Sequence, residues 1–238
     1  MNIIQKKNKS NNLIIIFIEI VMEDFLKQIR DDHHNFDKGQ LNDHIGNNPF
    51  DFFHQWFKEA FEAKQPEDNA FVLSTVNEKG QPSSRILYLK ELDDSGFVFY
   101  TNYASQKGSE LSHNPKASML FFWNQLERQV RIEGVVEKID SNISDAYFES
   151  RPRASKLGAW ASHQSQSLSS RDELMKRLEI LAAQFPTEVP RPPHWGGYKL
   201  IPTLIEFWQG RPSRLHDRLI FERDSVWNNE WNLFRKNP

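Results

Sequence analysis

The chain has 238 residues, a formal net charge of −2 and no cysteine. That charge gives no global positive field for nucleic acid or an anionic membrane, so any phosphate must be held by local Arg and Lys groups; the missing cysteines remove disulfides, thiolate nucleophiles and zinc–cysteine sites and fit a reducing cytoplasm. Hydrophobic residues at 38% and charged residues at 26% suit one globular domain, and eighteen Phe with seven Trp suit a β-rich core, where flat rings pack on a pleated sheet.

In chain order, residues 1–47 read as an N-terminal tail and lid segment and residues 48–238 as a single domain. Positions 13–21 are apolar apart from Glu19, far short of the ~20 residues that span a bilayer, and no small-residue cleavage site follows. Met22 opens a polar helical pattern. It is expected to be the natural start, with residues 1–21 an upstream readthrough or disordered tail; the intact mass of the protein from its host checks this. Asn48 and Pro49 read as an N-cap followed by Pro at the first helical position, and Phe50, Phe53, Trp56, Phe57, Ala60 and Phe61 recur at helical spacing. Strands are expected over 71–76, 84–89, 96–101, 117–123 and 129–139, with a hairpin turn at 93–96 joining the second and third. A short helix over 105–113 is stopped by Asn114 and Pro115. This is a meander of about five strands, the pattern of an antiparallel barrel or sandwich. Ser141 can cap a helix to Ser150, and Leu174, Leu178, Leu181 and Phe185 mark another that Pro186 ends. A Pro-rich loop over 186–194 precedes closing strands at 198–208, 218–222 and 226–234.

The P-loop, dinucleotide-fold, zincin and nucleophile-elbow motifs are absent. Asp32-His33-His34 has the look of a metal phosphoesterase tripeptide but lacks the companion motifs, and the remaining histidines have no ligand spacing, so no metal site is expected. The notable feature is cations within apolar strands. Arg85 and Lys90 bracket ILYL on opposite faces by strict alternation, which calls for a bulge or for two different ligands. Lys107 sits near a helix start, where free N–H groups favour a phosphate. Tyr147, Arg151, Arg153 and Ser155 gather hydroxyls and guanidinium forks suited to a phosphate monoester. Arg214, His216 and Arg218, behind Trp208, would share one strand face at period two. Solvated rim charges, an Arg-rich helix terminus and an exposed edge strand are the plainer readings of the same residues.

Taken in order, these residues resemble the pyridoxine/pyridoxamine 5′-phosphate oxidase family. The likeness runs from Pro49 to Trp231 through SRILYLK (84–90), FYTNYASQKG (99–108), RQVRIEG (128–134), YFESRPRASKLGAW (147–160), HQSQSLSSR (163–171) and EFWQG with RLHDR (206–218). It implies an α+β, mostly β fold: the FMN-binding split β-barrel, antiparallel and Greek-key-like, with flanking helices. It also implies a homodimer with FMN at the interface, and oxidation of phosphorylated B6 vitamers by O2 in the cytoplasm. The residues so implied to contact FMN are Arg85, Ile86, Leu87, Tyr88, Leu89, Lys90, Tyr100, Thr101, Lys107, Gln129, Gln164, Ser165, Trp208 and Arg218. Lys90, Tyr147, Arg151 and Ser155 are implied to cradle the substrate phosphate. Arg214, Leu215 and His216 are implied to close over the pyridine ring, with Arg214 and His216 in the catalytic role.

Three positions depart from the family pattern. Gln106 replaces an Arg beside Lys107, and one lost charged contact, ~1.5–3 kcal/mol, predicts weaker FMN binding than is typical. His33 replaces the Tyr of an Arg-x-x-Tyr element in the lid segment. The chain ends FRKNP rather than Arg-Leu-x-Pro. Two other functions share the fold: a flavin or deazaflavin enzyme with another substrate, such as an oxidase of phenazine assembly, and a non-catalytic binder of FMN or pyridoxal phosphate. Retention of the phosphate cradle argues against the first; turnover with bound flavin separates the second.

Overall fold

The computed structural model describes residues 22–32, 35–43 and 45–238. The expectations for residues 1–21 and for the positions of His33 and His34 lie outside the described residues. The described residues fall into two units, one ending at Phe36 and the other running from Asp37 to Pro238. In the first, helix α1 (residues 22–31) carries Met22, Phe25, Leu26 and Ile29 on one stripe, all exposed.

The second unit opens with α2 (Pro49–Glu62), whose N-cap Asn48 accepts a hydrogen bond from the Phe50 N–H. Its buried face carries Phe50, Phe52, Phe53, Trp56 and Ala60. Phe61, assigned to that face from its spacing, is 71% exposed, and Phe52 takes its place in the core. The apolar arc is therefore turned toward Phe52, whose ring meets Phe207 edge-on at 4.6 Å. Phe53 is fully buried and contacts Phe97 at 4.9 Å and Phe121 at 5.3 Å.

The sheet comprises β1 (Ala70–Val76), β2 (Pro82–Tyr88), β3 (Glu91–Asp93), β4 (Gly96–Asn102), β5 (Lys116–Trp123), β6 (Arg128–Lys138), β7 (Trp195–Gln209), β8 (Asp217–Glu222) and β9 (Asn232–Arg235). Their order is β2-β1-β5-β6-β7-β4-β3, with β8 on β7 and β9 on β8. This is not the simple meander expected. The 93–96 turn does form a hairpin, but it joins β4 to the short β3, whereas β2 pairs with β1. The strand at 226–234 contracts to Asn232–Arg235.

The fifteen-residue β7 organises the whole. One edge pairs with β6 from Lys138↔Tyr198 to Arg128↔Gln209. Its other edge is shared, β4 taking Trp195 to Leu200 and β8 taking Leu204 to Gln209. That forked edge makes an antiparallel barrel that is split rather than closed. The sheet bends at a register shift between Glu133 and Gly134. A Cβ at Gly134 would lie 2.1 Å from the Ile201 carbonyl oxygen, so only glycine permits this approach.

The helices α3 (Gln106–His113), α4 (Ser141–Ser150), α5 (Arg153–Ala161) and α6 (Arg171–Gln184) flank the sheet. Asp140, not Ser141, caps α4, its carboxylate accepting from the Asn142 N–H at 2.7 Å.

Candidate active site

Three groups of polar and aromatic side chains stand out, and each is placed by a strand end or helix start. The first is cationic. Arg85 shares the inward side of β2 with Ser83 and Leu87, opposite Leu73 of β1 in an unbroken register. No bulge intervenes, so Arg85 is half-buried whereas Lys90, just beyond the strand, is exposed with its ammonium 5.4 Å from the Tyr88 ring centroid. The two cations therefore serve different surroundings.

Lys107 lies at the second position of α3, which Ser105 caps. Its ammonium is buried, donating to Gln164 Oε1 at 2.8 Å and Ser105 Oγ at 3.3 Å. Burial, with the nearby Arg85 charge, pulls its pKa down to about 8. Gln164 reaches it from the turn after α5, where the neighbouring Ser165 adopts a positive φ of 70°. Gly108 lets the first turn of α3 close on the chain, since a Cβ there would sit 2.1 Å from the Tyr103 carbonyl oxygen. The carboxylate of Glu110, one turn on, is 3.4 Å from Arg85. Arg85 and Lys107 against Glu110 leave one positive charge at the N-terminus of a helix, a setting that suits a phosphate.

The second group is aromatic. Tyr100 of β4 stacks on Tyr147 of α4 with centroids 3.9 Å apart and planes within 14°, and Trp195 continues the stack at 5.6 Å from Tyr100. The Tyr100 hydroxyl donates to Glu91 at 2.6 Å. Arg151, just past α4, lies 4.5 Å over the Trp195 ring. Its Nη1 is buried with no hydrogen-bond partner. Burial, against the opposing pull of Tyr147, lowers the Arg151 pKa. A buried guanidinium donor left unpaired is costly unless an anion completes it, which is the role expected for this residue. Ser155 is exposed on α5, on the same stretch of chain.

The third group lies at the other end of β7. Gln129, Trp208 and Arg218 form one cross-strand row through the pairs Gln129↔Trp208 and Trp208↔Arg218. Arg218 donates to the buried Glu206 at 2.8 and 3.0 Å, and Arg131 donates to it at 2.5 Å. The His216 ring packs against Trp208 at 4.7 Å, and its Nδ1 accepts from the Arg211 N–H at 3.1 Å. Burial, then the Arg214 charge, lowers the His216 pKa. One expectation fails here. Neither Arg214 nor His216 shares a strand face with Arg218, because β8 begins only at Asp217 and Arg214 closes a 3-10 turn over Pro212–Arg214 with φ of +62°. Leu215 beside it is exposed.

The second group adjoins the start of β7 and the third its end. Tyr100 pairs with Gly197, eleven residues before Trp208; at ~3.3 Å per residue the strand contour between them is about 36 Å. Sequence reasoning missed Glu110, Thr75, Ser83 and Glu206, the partners of the predicted cations. A carboxylate four residues into a helix carries no local signal that it faces a strand arginine.

The fold and these groups define a split-barrel flavoprotein architecture. A family model described as "Pyridoxamine 5'-phosphate oxidase" matches residues 57–183, and one described as "Pyridoxine 5'-phosphate oxidase C-terminal dimerisation region" matches residues 195–238. The pyridoxine/pyridoxamine 5′-phosphate oxidase of Burkholderia thailandensis is 55% identical over 194 residues, covering 82% of this chain and 91% of that one. The structure of PhzG from Burkholderia lata 383, in complex with tetrahydrophenazine-1-carboxylic acid, superposes with a TM-score of 0.77 at 33% identity, covering 82% and 95% of the two chains. A pyridoxamine 5′-phosphate oxidase-related, FMN binding protein from Nostoc punctiforme shares the fold at a TM-score of 0.64 and 17% identity, covering 83% and 100%. The chain belongs to the pyridoxine/pyridoxamine 5′-phosphate oxidase family and is an oxidoreductase; FMN is the cofactor that goes with that family. Among the described residues no helix is long and apolar enough to cross a membrane.

Proposed function

We propose that the protein oxidises pyridoxamine or pyridoxine 5′-phosphate to pyridoxal 5′-phosphate, with FMN as cofactor and O2 as the final acceptor. The observation that carries the reading is the buried, unpartnered Nη1 of Arg151 beside the Tyr100–Tyr147–Trp195 stack. It is a donor awaiting an anion next to flat surfaces that suit a pyridine ring. Lys107, Arg85 and the α3 N-terminus would hold the FMN phosphate. Gln164, Ser165, Tyr100, Thr101 and the strand from Ile86 to Leu89 would follow the rest of the cofactor. Lys90, Tyr147, Arg151 and Ser155 would hold the substrate phosphate.

Bound FMN would supply the two-electron redox chemistry, with O2 as the final acceptor and hydrogen peroxide as its product. For the amine the balance is amine, O2 and water in, and aldehyde, ammonia and peroxide out. The protein's part is to bind and orient. Arg214 and His216, with Leu215, would cover the pyridine ring. Burial, then the Arg214 charge, lowers the His216 pKa and so favours the neutral ring that would pack over the pyridine. Because the third group lies a long strand contour from the Tyr100–Tyr147–Arg151 group, Gln129, Trp208, Arg218, Arg214 and His216 would come from a second copy, in a homodimer with FMN at its interface.

A related reading, oxidation of a reduced phenazine, has a structural relative behind it. The phosphate-binding set speaks against it, as does the 55% identity to a B6 oxidase against 33% to PhzG. The deciding experiment is aerobic turnover of pyridoxamine 5′-phosphate by the FMN-loaded protein, following aldehyde and peroxide together. Equal yields of the two are expected; a folded, flavin-loaded dimer that yields neither would sink the reading.

A further inference from the structure

We propose that Glu110 is a positioning residue that aims Arg85 at the cofactor phosphate through the hydroxyls of Thr75 and Ser83. This rests on the reading of the Arg85–Lys107 cluster as the FMN phosphate site. The Glu110 side chain is 5% exposed, on the face of α3 turned to β1 and β2. Its Oε2 accepts from Thr75 Oγ1 at 2.5 Å and from Ser83 Oγ at 2.9 Å, and its Oε1 accepts from Gln106 Nε2 at 2.8 Å. Arg85 in turn donates from Nη1 to Thr75 Oγ1 and from Nη2 to Ser83 Oγ, the latter at 2.6 Å.

A hydroxyl has one proton and two lone pairs. Both hydroxyls spend that proton on Glu110, so both must turn lone pairs to Arg85. The carboxylate therefore sets the polarity of the seat that the guanidinium occupies. Its direct contact with Arg85 is the longer one, 3.4 Å, so the relay through the hydroxyls holds the fork more closely than the ion pair does. Without an acceptor at the Oε2 position, either hydroxyl is free to point its proton at the cation and unseat it.

Simple charge counting predicts the opposite effect, because a carboxylate near a phosphate dianion repels it. The two ideas are separable with FMN and riboflavin, which differ only in the phosphate. Glu110→Ala should weaken FMN binding about tenfold to hundredfold, the scale of one charged hydrogen bond, with riboflavin affinity unchanged. Glu110→Gln keeps an acceptor facing both hydroxyls and should stay within about threefold of wild type for FMN. Thr75→Val removes one relay hydroxyl at nearly constant volume and should move FMN in the same direction as Glu110→Ala. That variant serves also if Glu110→Ala does not fold. In an Arg85→Ala background, Glu110→Ala should cost nothing more.

Tighter FMN binding by Glu110→Ala would overturn the proposal in favour of charge alone. Equal losses for FMN and riboflavin would reduce Glu110 to a fold element. A full loss persisting without Arg85 would show that it acts through something else. If the unaltered protein bound FMN and riboflavin equally, the phosphate assignment itself would fall, and the proposal with it.

Discussion

Among single residues, Lys107 makes the sharpest demand. A lysine ammonium held in a buried site is costly, and here burial and Arg85 together depress its pKa to about 8. An anion at this position stabilises the charged form and raises that pKa, so proton and anion binding reinforce each other. FMN affinity should be full below pH 8 and fall as the pH rises past it, the decline ending where the raised pKa of the bound state is reached. Flavin fluorescence titrations between pH 6 and 10 would measure this, and a flat profile would show that Lys107 does not hold the phosphate. Lys107→Met should lose most of the FMN affinity while gaining thermal stability near neutral pH, because the buried charge is gone. Gln106 modifies the same balance. Its amide is already engaged by Glu110, so an arginine introduced there would share its charge with that carboxylate. Gln106→Arg should therefore tighten FMN by less than the ~1.5–3 kcal/mol of a full charged contact; a flavin titration reads it directly.

At the level of elements, helix α2 and strand β7 carry different burdens. The Phe53 ring of α2 is fully buried against Phe97, Phe121 and Trp123. Phe53→Ala should cost ~3–5 kcal/mol, seen as a lowered denaturant midpoint; a shift of under 1 kcal/mol would mean that the core closes over the gap. These elements were legible to different degrees. The cap at Asn48 and the run of aromatics made α2 plain, and β-branched and aromatic runs marked β1, β4, β5 and β6. Pairing was harder to read. Nothing local in residues 84–101 says that β2 turns back to β1 while β4 crosses to β7, because partner choice is a long-range matter of packing. Short β3 was missed because three residues are too few for a period, and the strand at 226–234 was overextended because its scattered aromatics mimic alternation. For the site, the cations were visible as oddities in apolar runs. The face-sharing argument for Arg214 failed because the Pro212–Arg214 turn breaks period two before β8 starts. The carboxylates that steady Arg85 and Arg218 came from α3 and from the neighbouring strand β7, and only the folded chain brings them in.

For the whole molecule, the outer face of the sheet, opposite α2, bears on assembly. Ile86, Tyr88 and Phe122 are 66%, 44% and 56% exposed there, and Phe122 pairs with Gln129, the first member of the row that ends at Arg218. Apolar side chains and predicted cofactor contacts thus share one surface, the pattern of a self-complementary interface, and residues 195–238 match a dimerisation region. If each site takes Arg151 from one protomer and Arg214 from its partner, two defective proteins should repair each other. Arg151→Ala and Arg214→Ala should each be inactive as pure dimers. Unfolded together in equal amounts and refolded, half of the dimers would be mixed. In each mixed dimer one site would collect both damaged residues and the other neither. About a quarter of the wild-type sites should then return, by the arithmetic of a two-fold symmetric dimer. Recovery near that fraction, absent when the two proteins are mixed without unfolding, would establish the shared site. No recovery from well-folded mixed dimers would mean that Arg151 and Arg214 serve the substrate within a single chain.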